Sequence, residues 1–267
     1  MRHNRFDLNQ LPPPPAEQTV CGYHAVHAAL QARPEHLRRL LFATEHFDDL
    51  RQLLAKLASR RVPYREVGAD ELDRASGSRA HQGLVAVFVA PQTVPITDVE
   101  LASWAAERKA LIALDGVANP HNLGAIARTA AFLGAHAIVL QAGDAPAARS
   151  TAAYRTAEGA LERLRIGQTP DLPAALATLR ATGATVLALA ADGAEPLHKV
   201  RMPKTGALVL VAGAEEAGLR PEVRAACTHV VRIEGSGLVE SLNVGVALGV
   251  ALAQLWRPAE GQRTAFR

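Results

Sequence analysis

The six residues Ala207-Leu208-Val209-Leu210-Val211-Ala212 run without a single polar interruption. A strand that faces solvent on one side alternates apolar and polar residues; an unbroken apolar run is what a parallel strand covered by helices on both faces requires. Further strands, mostly apolar but with polar residues such as Asp115, Gln141 and Arg232, are predicted at Leu111–Asp115, Ala137–Gln141, Thr185–Ala190 and His229–Ile233. Between them lie longer stretches of helical character: Asn122–Gly134, Leu172–Thr182, Arg220–Ala226 and the Ala-rich Ser241–Trp256. Strands separated by helices predict an α/β domain with an open, mostly parallel sheet over residues 109–258.

A second, smaller α/β unit precedes it, over residues 17–92. Leu50, Leu53, Leu54 and Leu57 recur at i, i+3, i+4 and i+7 and mark a helix across Asp48–Arg60. Further helices are predicted at Tyr23–Ala32 and Ala69–Ala75, and strands at Leu37–Ala43, Val62–Val67 and Gly83–Ala90. Residues 93–108, with Pro95 and a polar amphipathic piece near Val99–Lys109, read as a linker with a short helix. Residues 1–16 contain Pro12 to Pro15 and read as an extended tail, and residues 259–267 as a frayed one.

The totals remove several function classes. An apolar fraction of 49% in 267 residues suffices for packed cores and is too high for a disordered chain. Cys21 and Cys227 are far apart with no CxxC spacing, so neither a disulfide framework nor a cysteine zinc site is expected, and the histidines show no ligand spacing. The segment Met1–Ala16 lacks the apolar core of a secretory signal, and no run of about 18 apolar residues suggests a membrane span. A reducing cytoplasm is the expected setting. The formal net charge of +3 permits a polyanionic partner without demanding one.

In an open parallel sheet, ligands gather at the carboxyl ends of the strands, and here such ends carry unusual polar clusters. After Leu111–Asp115 comes Gly116 to Arg128, in which Asn122 reads as a helix cap or first-turn residue. Arg128 follows nearly two turns later, and its guanidinium fork suits phosphate or carboxylate; both side chains are expected on one side. After Ala207–Ala212 comes Gly213-Ala214-Glu215-Glu216-Ala217-Gly218-Leu219, where glycine lets a ligand approach backbone and Glu215 offers an acceptor. After His229–Ile233 comes the glycine-rich stretch Glu234 to Glu240, leading into a helix whose first turn is expected to hold Ser241 and Asn243. Each cluster alone is also compatible with an ordinary capped helix or strand-to-helix turn. Neither a GxGxxG dinucleotide pattern nor a GxSxG serine elbow is present.

Taken in order, these stretches resemble the signature motifs of the SpoU (TrmH-like) family of RNA 2′-O-ribose methyltransferases in the SPOUT superfamily. Asn122, Gly124 and Arg128 resemble its Asn-x-Gly-x-x-x-Arg motif. Gly213, Glu215, Gly218 and Leu219 resemble Gly-x-Glu-x-x-Gly-Leu, and Ser241 to Val244 resemble Ser-Leu-Asn-Val. Arg155 to Ala160 is similar to a stretch between the first two motifs, while Gly22, Ala25, Val26 and His81-Gln82-Gly83 resemble the family's substrate-binding domain. The similarity spans about residues 18–257. It departs at Glu234-Gly235-Ser236-Gly237, where Ile-Pro-Met and a glycine are usual, and at Gly245, where serine is common; such changes resemble a less characterised branch.

The resemblance implies a deep trefoil knot in the carboxyl half, S-adenosylmethionine as methyl donor, and structured RNA as substrate, ribosomal ahead of transfer RNA. It implies a cofactor pocket lined by Gly213, Ala214, Ile233, Gly235, Gly237 and Leu242, with Arg128, Asn122, Glu215, Ser241 and Asn243 in catalysis. No metal is implied. The family assigns the base role to the arginine matching Arg128, yet a guanidinium ordinarily stays charged throughout the physiological pH range. Two roles therefore stand open for Arg128: base, or clamp for phosphate and forming alkoxide. Arg33, Arg38, Arg39, Arg60 and Arg61, with Arg65, are the expected RNA contacts of the amino-terminal unit. Relatives of this kind are homodimers through the catalytic domain, and the apolar helix Ser241–Trp256 suits either that interface or a buried core. The altered third motif also motivates an alternative, an RNA-binding or assembly protein with weak or lost methyl transfer.

Overall fold

The computed structural model describes residues 16–91, 94–143, 145–148, 150–201 and 206–257. The tails expected at 1–16 and 259–267 thus lie outside the described residues, apart from Ala16. The amino-terminal unit runs β1 (Glu17–Cys21), α1 (Tyr23–Ala32), β2 (Leu37–Phe42), α2 (Phe47–Ser59), β3 (Tyr64–Glu66), α3 (Ala69–Ser76) and β4 (Leu84–Val89). Its sheet has the order β1-β4-β2-β3, with β4 antiparallel to both β1 and β2, and β3 parallel to β2.

The chain continues through α4 (Asp98–Ala106), β5 (Ala110–Asp115), α5 (Pro120–Phe132), β6 (Ala137–Gln141), α6 (Ala145–Ala148), α7 (Thr151–Ala157), β7 (Arg165–Thr169) and α8 (Leu172–Ala181). It closes with β8 (Thr185–Leu189), β9 (Glu195–Pro196), β10 (Leu208–Gly213), α9 (Pro221–Ala226), β11 (His229–Arg232) and α10 (Val244–Leu255). The second sheet has the order β7-β6-β5-β10-β8-β11-β9, and every pairing in it is parallel.

Alternate residues of the central strands feed two apolar cores, as the period of two requires. Ile112, Leu114, Leu208 and Leu210 point into one, which continues unbroken into the amino-terminal unit through Val20, Leu40 and Phe88. Leu111, Ala113, Val209 and Val211 point into the other. That second core contains Leu101 and Trp104 of α4, so the stretch expected as a linker is a structural cover of the sheet. Thr97 starts α4 with a capping box to Glu100.

Three expectations are corrected locally. Strands β1 and β7 were not legible: Glu17–Cys21 mixes polar and apolar residues, and Arg165–Thr169 is an edge strand with little apolar content. The first-motif helix, expected from Asn122, begins at Pro120 and is capped by Asn119, which puts Asn122 three residues past the cap, in the first turn. The final helix begins at Val244 rather than Ser241 because the side chain of Asn243 caps it.

Candidate active site

Strands β5 and β10 are neighbours in the sheet although far apart in sequence, so their carboxyl ends meet: Gly213 is paired with Asp115. Between them the strand order switches, from β6-β5 on one side to β10-β8 on the other, which is where an open α/β sheet forms its crevice. The third cluster leaves β11, which is separated from β10 by β8, yet α10 packs back against α5 and β10.

The three clusters close on one side chain. Nδ2 of Asn243 donates to Oε1 of Glu215 at 2.7 Å and to Oδ1 of Asn122 at 3.0 Å. Its Oδ1 accepts from the backbone N–H of Gly245 at 2.9 Å and of Val246 at 3.4 Å. Asn243 therefore caps α10 and ties all three motifs together, and the negative Glu215 lies beside a helix amino terminus, where the helix dipole favours it. Ser241 is exposed and lies outside the helix.

The first motif uses two faces of α5. Gly245 and Gly249 of α10 pack over Ala125, Ile126 and Thr129, the face that carries Asn122. Gly124 lies on another face, where a Cβ would stand 2.6 Å from the Ala153 carbonyl oxygen and 2.6 Å from Cβ of Thr156. Only glycine lets α5 and α7 approach so closely. Arg128, one turn beyond Gly124, follows that second face and pairs with Glu158 just after α7, Nη1 to Oε1 at 2.8 Å. The expectation that Asn122 and Arg128 share a side is thus corrected: at about 100° per residue, six residues turn the helix by about 240°.

Gly213 is also required by the fold of its own loop. A Cβ there would lie 2.1 Å from the carbonyl oxygen of Gly218, because residues 214–218 fold back over the strand end in a tight turn with Ala214 bridged to Gly218. In contrast, Gly235 and Gly237 are open, with nothing within 4 Å of a Cβ at either. Leu238, Val239 and Leu242 are exposed beside them, and Ile233 packs at the edge of the core. Free backbone with an apolar rim suits a flat heteroaromatic base with polar edges, so the third cluster fits the adenosine part of S-adenosylmethionine.

Sequence reasoning missed an ion pair that braces these loops. Asp115, buried at the end of β5, accepts from the backbone N–H of Arg220 at 2.8 Å and from its Nε at 2.7 Å. Nη2 of Arg220 reaches Oε1 of Gln141 at 3.3 Å. The partners are 105 residues apart, and no local pattern joins them.

The expected RNA contacts divide. Arg33 is buried, at 8% exposure, and is not available to a phosphate. Its Nη2 donates to Oε1 of Glu162 at 2.7 Å and to Oε1 of Gln18 at 3.1 Å, and its Nη1 to the Val89 carbonyl at 2.9 Å, while the guanidinium lies 4.7 Å from the centre of the Phe88 ring. It clasps the amino-terminal unit to the catalytic one. Arg38, Arg39, Arg60 and Arg61 are exposed. Arg39, Tyr64, Arg65 and Arg74 line one open cleft, in which Arg65 is paired with Glu71.

Both cysteines are free and buried. Burial pushes the Cys227 thiol up to about 12, and its Sγ donates to the Val223 carbonyl at 3.2 Å. Burial also raises Cys21. Neither is a nucleophile at neutral pH. Among the described residues no cluster of His, Cys, Asp or Glu could hold a metal, and no helix is long and apolar enough to cross a membrane.

Comparison with known proteins matches these two units. The model of the SpoU rRNA Methylase family matches residues 109–253, and that for RNA 2′-O ribose methyltransferase substrate binding matches residues 19–94. The chain is 36% identical to a 23S rRNA (guanosine-2′-O-)-methyltransferase RlmB from Burkholderia sp, over 91% of this chain and 97% of that one. It is 35% identical to an uncharacterized tRNA/rRNA methyltransferase YfiF from Escherichia coli O157:H7, over 91% of this chain and 69% of that one. Among solved structures, the AdoMet-bound rRNA methyltransferase from Sinorhizobium meliloti superposes with a TM-score of 0.71 at 25% identity, covering 89% of this chain and 86% of that one. The chain belongs to the SpoU rRNA methylase family.

Proposed function

We propose that this chain transfers a methyl group from S-adenosylmethionine to a ribose 2′-hydroxyl of ribosomal RNA. The observation that carries the reading is the single amide of Asn243, which donates to both Asn122 and Glu215 and so assembles three separated motifs at one switch point. The relatives named for 23S rRNA guanosine 2′-O-methylation support ribosomal over transfer RNA.

S-adenosylmethionine, when bound, supplies an electrophilic methyl on a sulfonium. The protein's work is then alignment and charge control. Residues Ile233, Gly235, Gly237 and Leu242 would hold the adenosine part by backbone contacts and apolar cover, and Gly213 and Ala214 would shape the facing wall. Asn122, Glu215 and Asn243 keep these walls in register, and Arg128 acts on the ribose hydroxyl and its flanking phosphate. The exposed arginines at 38, 39, 60 and 61 bind RNA phosphates, and a 2′-hydroxyl is what RNA offers and DNA lacks.

The working form is a cytoplasmic homodimer, with the chain threaded as the trefoil knot typical of the family. Phe132 is 81% exposed at the end of α5, and Val246 and Val250 are exposed on α10, the helix packed against it; together they form an apolar face suited to a second copy. Because Arg128 points away from the Asn122 face, a dimer would let one copy's arginine serve the other's cofactor loops.

The test is tritiated methyl transfer to total RNA from a strain deleted for the gene, followed by mapping of ribose methylation. Label in 23S RNA at one nucleotide that is unmethylated only in the deletion strain is expected. Failure to label any RNA, with tight RNA binding retained, would favour an assembly role instead.

A further inference from the structure

Glu158 is one of four non-glycine residues with a positive φ among the described residues, and of the four it is the one that follows a motif-packed helix and pairs with Arg128. It sits at the carboxyl end of α7 with φ 46° and ψ 46°, in the left-handed region that a side chain rarely adopts. The residues on both sides of it are held against the amino-terminal unit. Arg155 donates from Nη1 to Oγ of Ser78 at 2.6 Å, anchoring the preceding turn on the amino-terminal unit. Gly159 lies against α1, where a Cβ would be 2.6 Å from Cβ of Ala28, and Glu162 is held by the buried Arg33. Strain of this kind persists only where the surroundings over-determine it, and it concentrates at functional positions. Here it aims one carboxylate at one guanidinium, Arg128, at 2.8 Å. Both side chains reach solvent, as groups that must meet an RNA sugar have to.

We infer that Glu158 is the positioning residue of Arg128 and the final acceptor of the ribose proton, a role that rests on the methyl-transfer reading above. A lone guanidinium has no lone pair to offer a hydroxyl. A guanidinium bonded to a carboxylate can pass one Nη proton to it while taking the hydroxyl proton on another nitrogen. The balance closes. The ribose O–H bond breaks as the O–CH3 bond forms, and the sulfonium becomes a neutral thioether as its S–CH3 bond breaks. Arg128 ends with the charge it began with, and Glu158 ends as the carboxylic acid. This resolves the choice between base and clamp: Arg128 clamps and relays, and Glu158 receives.

Glu158→Gln decides it, because glutamine keeps an oxygen acceptor for Arg128 and cannot take the proton. Single-turnover methyl transfer to RNA from the deletion strain should fall by about 100-fold or more, the scale of a lost proton acceptor. The Kd values for that RNA and for S-adenosylmethionine should stay within twofold. Nitrogen NMR of the arginine side chains should show Arg128 still restrained in Glu158→Gln and released in Glu158→Gly. The glycine variant relieves the left-handed backbone, so its Tm should match or exceed that of the unaltered chain while transfer is lost. Glu158→Asp should recover part of the rate. Transfer by Glu158→Gln within threefold of the unaltered chain overturns the proton role, and an Arg128 signal unchanged in Glu158→Gly overturns the positioning role. No transfer by the unaltered chain removes the methyl-transfer reading and this inference with it.

Discussion

Asn243 and Glu215 lie 28 residues apart and meet at 2.7 Å, the amide of a helix cap donating to the carboxylate of a strand-end turn. The same amide nitrogen serves Asn122, and its oxygen serves the first turn of α10. Capping and motif assembly are therefore separable, because they use opposite ends of one side chain. Asn243→Ser keeps a good cap and removes the amide N–H pair that reaches Asn122 and Glu215, so Tm should change little. Methyl transfer should fall about tenfold or more, as expected for a lost hydrogen bond to a charged group. Asn243→Ala should lose about 1 kcal/mol of stability as well. Urea melts beside single-turnover rates distinguish the two, and a serine variant of unchanged rate would remove the amide from the mechanism.

Gly213→Ala should damage the cofactor loop without unfolding the sheet. Its Cβ collides with the carbonyl of Gly218, which is backbone and cannot swing aside. The turn must rebuild, at about 1–3 kcal/mol, the usual cost of forcing atoms into a packed site. Calorimetric titration with S-adenosylmethionine should show affinity reduced at least tenfold. Gly235→Ala, at an open position, should bind within a fewfold of the unaltered chain.

Arg33→Met should act through stability and not through RNA affinity. The pair with Glu162 is nearly solvent-free, with side chains 9% and 8% exposed. Removing one partner leaves a buried carboxylate and should cost about 3–5 kcal/mol. Adding Glu162→Gln should return a large part of that loss. If Arg33→Met instead left the melting curve in place and weakened RNA binding, the clasp would be the wrong description.

Cys227 gives a pH dependence whose sign follows from burial. Its folded-state pKa, about 12, lies above that of an unfolded thiol, about 8.5. Between those values the unfolded chain has lost a proton that the folded chain keeps, so stability falls as pH rises, by up to about 1.4 kcal/mol per pH unit. Below about pH 8.5 the contribution is fully present. Denaturant melts from pH 7 to 10.5 should show a shallower alkaline decline in Cys227→Ala than in the unaltered chain.

What the sequence determined by itself was the order and type of most elements and the identity of the motifs. Those follow from local physics: unbroken apolar runs such as Ala207–Ala212 mark covered strands, and leucines at helical spacing mark α2. Strands β1 and β7 escaped because an edge strand or a mixed polar one has no such signature. Tertiary structure alone decided which motif residues touch. Sequence spacing does put Asn122 and Arg128 on different faces of a helix, but it could not show that one face meets α10 and the other α7, because the neighbours of a helix are set by the fold. Nor could it show that Arg33 is buried against Glu162, 129 residues away, since a charged residue reads as surface until a partner closes over it. Local periodicity is written in neighbouring residues; the pairing of charges and amides across strand ends is set by the sheet order, which brings β5 and β10 side by side.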